Sequence, residues 1–194
     1  MTVYNALRYN NSYANAGSLV LLSTQTASGS ASLSFTSGID STYSEYMFIF
    51  NNIHPATDST SFTFNLSIDS GSNYNVAKQT VSFRTQHYES GSGAAIALSD
   101  RLANGTGEQY LHQESGMGND NDQAISGYLQ LFEPSSTTFI KHFLAKTSNV
   151  NASDRCRTAY TSGYANTTSA VDGIRFKMAS GNIDLGTIQM FGVV

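Results

Sequence analysis

Phe62-Thr63-Phe64-Asn65-Leu66-Ser67-Ile68 alternates apolar and polar side chains without a break. Successive side chains of a strand point to opposite faces, so this run sets an apolar face on a core and a polar face on solvent or a neighbour. A helix would need apolar positions three and four apart, and none are so spaced here. Ala31-Ser32-Leu33-Ser34-Phe35-Thr36 and Ile174-Arg175-Phe176-Lys177-Met178 repeat the period.

Tyr46-Met47-Phe48-Ile49-Phe50, Tyr128-Leu129-Gln130-Leu131-Phe132 and the run over 139–144 are apolar on both faces. They predict central strands, or strands covered by a second layer. Leu19-Val20-Leu21-Leu22, Val81-Ser82-Phe83-Arg84 and Ile188-Gln189-Met190-Phe191 complete the clear set, with weaker candidates near Ile96, Tyr110 and Tyr160. The segments are separated by turn chemistry, as in Asp69-Ser70-Gly71-Ser72-Asn73 and Ser90-Gly91-Ser92-Gly93. Pro55 and Pro134 are read as lying just past strands, because proline has no N–H to give a ladder.

Helical periodicity is absent apart from one or two possible turns over 97–103. About ten strands without helices predict an all-β fold, a two-sheet antiparallel β-sandwich of jelly-roll type. The mixture of loop lengths argues against an up-and-down barrel. Residues 1–17 lack alternation and set Tyr4, Tyr9 and Tyr13 among asparagines, so they read as an extended arm to a domain over 18–194. The arm is expected to contact another chain. Core positions are predicted at Leu33, Phe35, Phe48, Phe50, Phe64, Leu66, Leu131, Phe143, Phe176 and Ile188.

Charged residues make up only 12% of the 194 residues, and the net charge is −4. With ten scattered Lys and Arg there is no basic stripe, which argues against nucleic acid and against a charged membrane surface as partner. The first residues carry neither a basic segment nor a long apolar run, and no apolar stretch approaches a membrane span. Synthesis in a cytoplasm without a signal peptide is the expectation. Five N-glycosylation sequons, at Asn10, Asn65, Asn104, Asn151 and Asn166, are what chance gives in so Asn-, Ser- and Thr-rich a chain.

Cys156 is the only cysteine, so it offers neither an intrachain disulfide nor a zinc set, and it reads as a small buried hydrophobe. His54, His87, His112 and His142 show no metal-ligand spacing, and His54 precedes Pro55 in an expected turn. His87 and His112 are the pair most open to convergence in space. The G-x-S-x-G elbow is absent, and no Gly-rich loop opens a helix. Glu89, Glu108 and Glu114 flank the loop-rich middle without forming a recognisable acid pair. Asp120 and Asp122 in a Gly/Asn loop, with Asp69 in another, supply the hard oxygens that suit calcium, yet neither loop has the EF-hand spacing and turn formation is the preferred reading. No catalytic, cofactor-binding or metal residue is assigned.

Three stretches carry a resemblance. They are Phe35-Thr36-Ser37-Gly38-Ile39-Asp40-Ser41-Thr42-Tyr43 with the run over 46–58, Ser67-Ile68-Asp69-Ser70-Gly71-Ser72-Asn73-Tyr74, and Ile174-Arg175-Phe176 followed by 180–193. In this order they resemble β domains of tailed-phage virion proteins, especially of marine and cyanobacterial phages, over roughly residues 19–193. The ending, of the form G-x-I-x-x-G-x-I-x-x-x-G from Gly181 to Gly192, is the most telling part. Leu185 departs from it, since a small residue is expected before Gly186. The resemblance implies a non-enzymatic virion structural protein, an accessory subunit that decorates or cements the capsid or tail surface. The low-charge surface predicts self-association, and the resemblance implies three copies, a homotrimer, with other virion proteins as further partners. A receptor-binding fibre tip or carbohydrate-binding module, meeting a host-surface glycan, is the alternative.

Overall fold

A computed structural model describes residues 18–99, 101–112 and 116–194. The expected arm over residues 1–17, and Glu114, lie outside these. Among the described residues there is no helix. The strands are β1 (Leu19–Thr26), β2 (Leu33–Phe35), β3 (Glu45–Pro55), β4 (Phe62–Ser67), β5 (Lys78–Tyr88), β6 (Ala95–Leu98), β7 (Asn104–Gly105) and β8 (Gln109–Tyr110). They continue with β9 (Ile125–Phe132), β10 (Lys141–Val150), β11 (Arg155–Ala165), β12 (Gly173–Met178) and β13 (Ile183–Val193).

The strands form two antiparallel sheets. The larger runs β1-β13-β3-β9-β10-β11-β5-β6, with β7 also paired to β5, and the smaller runs β2-β12-β4-β8. The chain is therefore an all-β, sandwich-like protein, and the segments apolar on both faces are indeed central strands: β3, β9 and β10 each pair on both sides. The sheets meet through phenylalanines. Phe48 and Phe50 of β3 meet Phe176 of β12 with ring centroids 5.6 and 5.1 Å apart, and Phe64 of β4 meets Phe143 of β10 at 5.2 Å. All ten predicted core residues are buried. Burial of such aromatic area is the main favourable term in the fold.

Several local expectations are corrected. Within 97–103 the first residues extend β6 instead of starting a helical turn, because Thr85 and Phe83 pair with Ile96 and Leu98 and this ladder outweighs local preference. Pro55 is the last residue of β3, opposite Ile183, and His54 is a strand residue too. The polar face of β4 is not solvated: Thr63, Asn65 and Ser67 are buried. Asn65 donates to the carbonyls of Tyr74 and Thr106, which satisfies its amide beneath covering loops of the same chain.

The glycine-punctuated ending is a strand whose backbone lies close to its neighbours. Gly186 has φ +116° at a bulge of β13, and a Cβ there would stand 2.5 Å from the Asn52 carbonyl oxygen. A Cβ on Gly192 would meet the Tyr43 ring at 2.5 Å. The irregularity at Leu185-Gly186 is thus a bulge in a strand, facing a second irregularity of β3 between Phe50 and Ile53. Gly186→Ala is expected to lower the unfolding free energy by about 1–3 kcal/mol through backbone strain. Urea titration measures this, and an unchanged midpoint would show that the bulge relaxes freely.

Candidate functional site

The outer face of the large sheet departs most from what a solvated sheet needs. On β5 the side chains facing inward are Lys78, Ser82 and Arg84, all at most 5% exposed, while Val81 and Phe83 face outward at 60% and 39%. The polarity of this strand is inverted relative to the usual rule of apolar in, polar out. Its neighbours agree. Arg157 and Thr161 of β11 and Thr147 and Asn149 of β10 are buried, whereas Leu144 and Tyr160 are open.

The register shows how far the apolar outer layer extends. One row aligns Leu21, Phe191, Met47, Gln130, Leu144, Ser162 and Val81 across seven strands. The next aligns Gln189, Ile49, Tyr128, Lys146, Tyr160, Phe83 and Leu98. Lys146 is the only charged residue in these two rows. Its Nζ lies 5.4 Å above the Tyr160 ring, and the Tyr160 and Phe83 rings stack at 4.8 Å. Between Tyr128, Leu144, Tyr160, Phe83 and Val81 the surface dips into a hollow of about 330 Å³. Beside it the edge strand β6 leaves Ile96 and Leu98 72% and 81% exposed.

Cys156 belongs to this outer face. It is exposed, between Val150 and His87, so the expectation of a buried cysteine is wrong. The cause is phase: Arg157, Ala159 and Thr161 point inward along β11, and Cys156 falls on the opposite set. The same alternation exposes His87 and His142.

His112 is fully buried and does not meet the exposed His87. Neither ring nitrogen has a hydrogen-bond partner among the described residues. Burial pushes its pKa down to about 3, and the positive charges of Arg101 and Arg157 push the same way. Lys78, nearly as deep, donates to Asn65 Oδ1 at 2.5 Å and to the Val76 carbonyl at 2.9 Å, and desolvation draws it down to about 8.

A second hollow, of about 370 Å³, opens at the two facing bulges and is lined by Asn52, His54, Asp122, Asp184 and Leu185 among others. His54 Nε2 lies 3.1 Å from the Asp120 carbonyl, and Nδ1 lies 3.5 Å from Asp184 Oδ2. Among the described residues no hydroxyl or thiol is hydrogen-bonded to His54, so the pair has no nucleophile to activate. Asp120 and Asp122 are exposed, and among the described residues no three His, Cys, Asp or Glu side chains converge as metal ligands would. The Asp69 carboxylate accepts from Asn73 N, Asn73 Nδ2 and Ser67 Oγ, which is turn formation; the Asn73 side chain, foremost, holds its pKa below the usual range. Glu108 pairs with the Arg175 guanidinium at 2.5 Å, a cation instead of a second carboxylate.

The outer apolar face is not legible in the sequence. The available signal was Val81-Ser82-Phe83-Arg84, whose polar members are as compatible with an interior as its apolar ones once a polar layer covers them. No protein-family model and no curated protein matches the chain.

Proposed function

We propose that this protein is a non-enzymatic structural subunit of a tailed-phage virion, an accessory subunit that decorates or cements the capsid or tail surface. One observation carries the reading: the outer face of the large sheet presents aliphatic and aromatic side chains over many strands with a single charge in its two central rows. Contiguous exposed apolar surface of this extent marks contact with another macromolecule. A low-charge surface suits permanent contacts, since few ions need desolvating on assembly. The subunit works as a homo-oligomer, with three copies as the number that the resemblance implies.

A jelly roll is the finer fold reading. With β5–β7 and β10–β11 set aside as insertions, β1-β13-β3-β9 oppose β2-β12-β4-β8. This order supports two Greek keys folded into a double sheet, an architecture used by capsid and lectin domains. The insertions then prolong one sheet and extend an apolar outer face that already runs over β1, β13, β3 and β9.

The test is particle composition. Wild-type chain is expected in purified virions, and a Val81→Glu, Leu144→Glu variant is expected to be depleted from them. Virions that contain none of the wild-type chain would overturn the reading. The alternative of a glycan-binding fibre tip is favoured by Tyr128 and Tyr160 on the same open face, because tyrosine offers a sugar an apolar ring with a polar end. Glycan-array binding that is lost in Tyr160→Ala would decide for it.

A further inference from the structure

We propose that the edge strand β6 of one chain pairs antiparallel with β6 of a second copy about a two-fold axis through Ala97, so that the two large sheets become one. The inference rests on the reading of the chain as self-associating and names the contact.

Among the described strands β6 has β5 as its only partner, and it ends the large sheet. An edge offers unpaired N–H and C=O groups, and proteins usually guard it with charge, proline or a bulge. Here none of these is present. Residues 90–99 hold no charged side chain and no proline, and the β5–β6 ladder runs without a register shift. The opposite edge, β1, is broken by a shift between Leu21 and Ser23. The phase of the ladder shows which groups are free. Ser99 N–H donates to the Ser82 carbonyl at 2.9 Å. Bonded and non-bonded pairs alternate along an antiparallel ladder, so Ala97 and Ala95 also turn their backbone groups to β5. Ile96 and Leu98 turn theirs to the open side, and their exposed side chains stand on the outer face with Phe83.

A second copy matches this edge. Run antiparallel about Ala97, the outward groups of Ile96 meet those of Leu98 in the other chain, and each pair exchanges both N–H···O=C bonds. Each isoleucine then stands opposite a leucine, an apolar cross-strand pair. No like charges meet in the matched strands. Stacking two outer faces on each other instead would set two Lys146 ammonium groups in one dry interface, which is unfavourable. In the joined sheet these groups are seven strand spacings apart, about 34 Å at about 4.8 Å each, well past the screening length. The axis stands normal to the sheet, so both outer faces lie on one side and the apolar surface doubles in width. The contact closes at two copies, and combined with a three-fold contact it gives six.

Sedimentation velocity on the full chain tests this. Wild type is expected to assemble in an even number of copies. Ile96→Lys with Leu98→Lys, and Ile96→Glu with Leu98→Glu, each set like charges opposite one another across the axis, and each is expected to halve the assembled mass. Mixed in equal amounts, the two are expected to restore it, because every lysine then faces a glutamate. Ile96→Pro takes their place if melting shows a charged variant to be unfolded. It removes an N–H aimed at the partner and none aimed at β5, and it too is expected to halve the mass. Val81→Glu with Leu144→Glu, on the outer face away from the axis, is expected to keep the wild-type mass. Edge variants of wild-type mass overturn the inference, as does a mixture that stays at half mass. If the face variant dissociates while the edge variants do not, the copies meet through the outer face and β6 is overturned as the contact. A trimeric wild type overturns this pairing and leaves self-association standing, and a monomeric wild type overturns both.

Discussion

Replacing Phe176 by alanine is expected to lower the unfolding free energy by about 3–5 kcal/mol, at the upper end of what removing one buried ring does. Phe176 is fully buried on β12, and its ring lies between 5.1 and 6.4 Å from those of Phe50, Phe48, Phe62, Phe35 and Phe64. These neighbours come from β2, β3 and β4, so the hole would be framed by both sheets. Hydrogen-bonded strands cannot close on a missing ring without breaking their ladders, and the cavity stays open. Urea unfolding of the variant measures the loss. Leu98→Ala, on the open edge, is expected to change stability by no more than about 0.5 kcal/mol. Equal losses for the two would show that the aromatic cluster is not the centre of the core.

The second large effect is a loss of stability in mild acid. His112 has its pKa near 3 in the folded protein, against 6.5 when unfolded. Its folded value is depressed, and for a base this means that the unfolded chain binds the extra proton. Stability from the neutral buried ring is therefore fully present above pH 6.5 and is lost as pH falls from there towards 3. At roughly 1.4 kcal/mol per pH unit, about 2 to 3 kcal/mol is expected to disappear between pH 6.5 and 4.5. His112→Phe is expected to flatten the dependence of the urea midpoint on pH in that window. A variant with the wild-type slope would place the acid sensitivity elsewhere.

The parts of the fold that were legible were those written in a local period. The alternation of 62–67 placed β4, and its phenylalanines were read as core because every second residue was aromatic or aliphatic. What local pattern does not encode is which layer covers the other side. Thr63, Asn65 and Ser67 have the composition of a solvated face, and only the segments around Tyr74 and Thr106 make it an interior. The same missing information hid the burial of His112 and the inverted polarity of β5. The exposure of Cys156 is illegible for a related reason: cysteine is commonly buried, but its side is set by the phase of β11, which is fixed by pairing with β10 and β5. The hollow at His54 was illegible because His54, Asp120 and Asp184 are far apart in sequence and are joined by two bulges.

The position of β13 has a kinetic consequence. β13, the last of the described strands, is not an edge: it sits between β1 and β3, and β12 likewise sits between β2 and β4. A growing chain on the ribosome can pair β9, β10 and β11 as successive hairpins, but the first four strands in these two slots must wait for residues 173–193. Closing such long loops before any contact compensates them is slow, and folding on the millisecond-to-second scale of non-local β proteins follows. During that wait β1 and β3 offer unpaired edges, so the nascent protein is most exposed to misassociation just before β13 emerges.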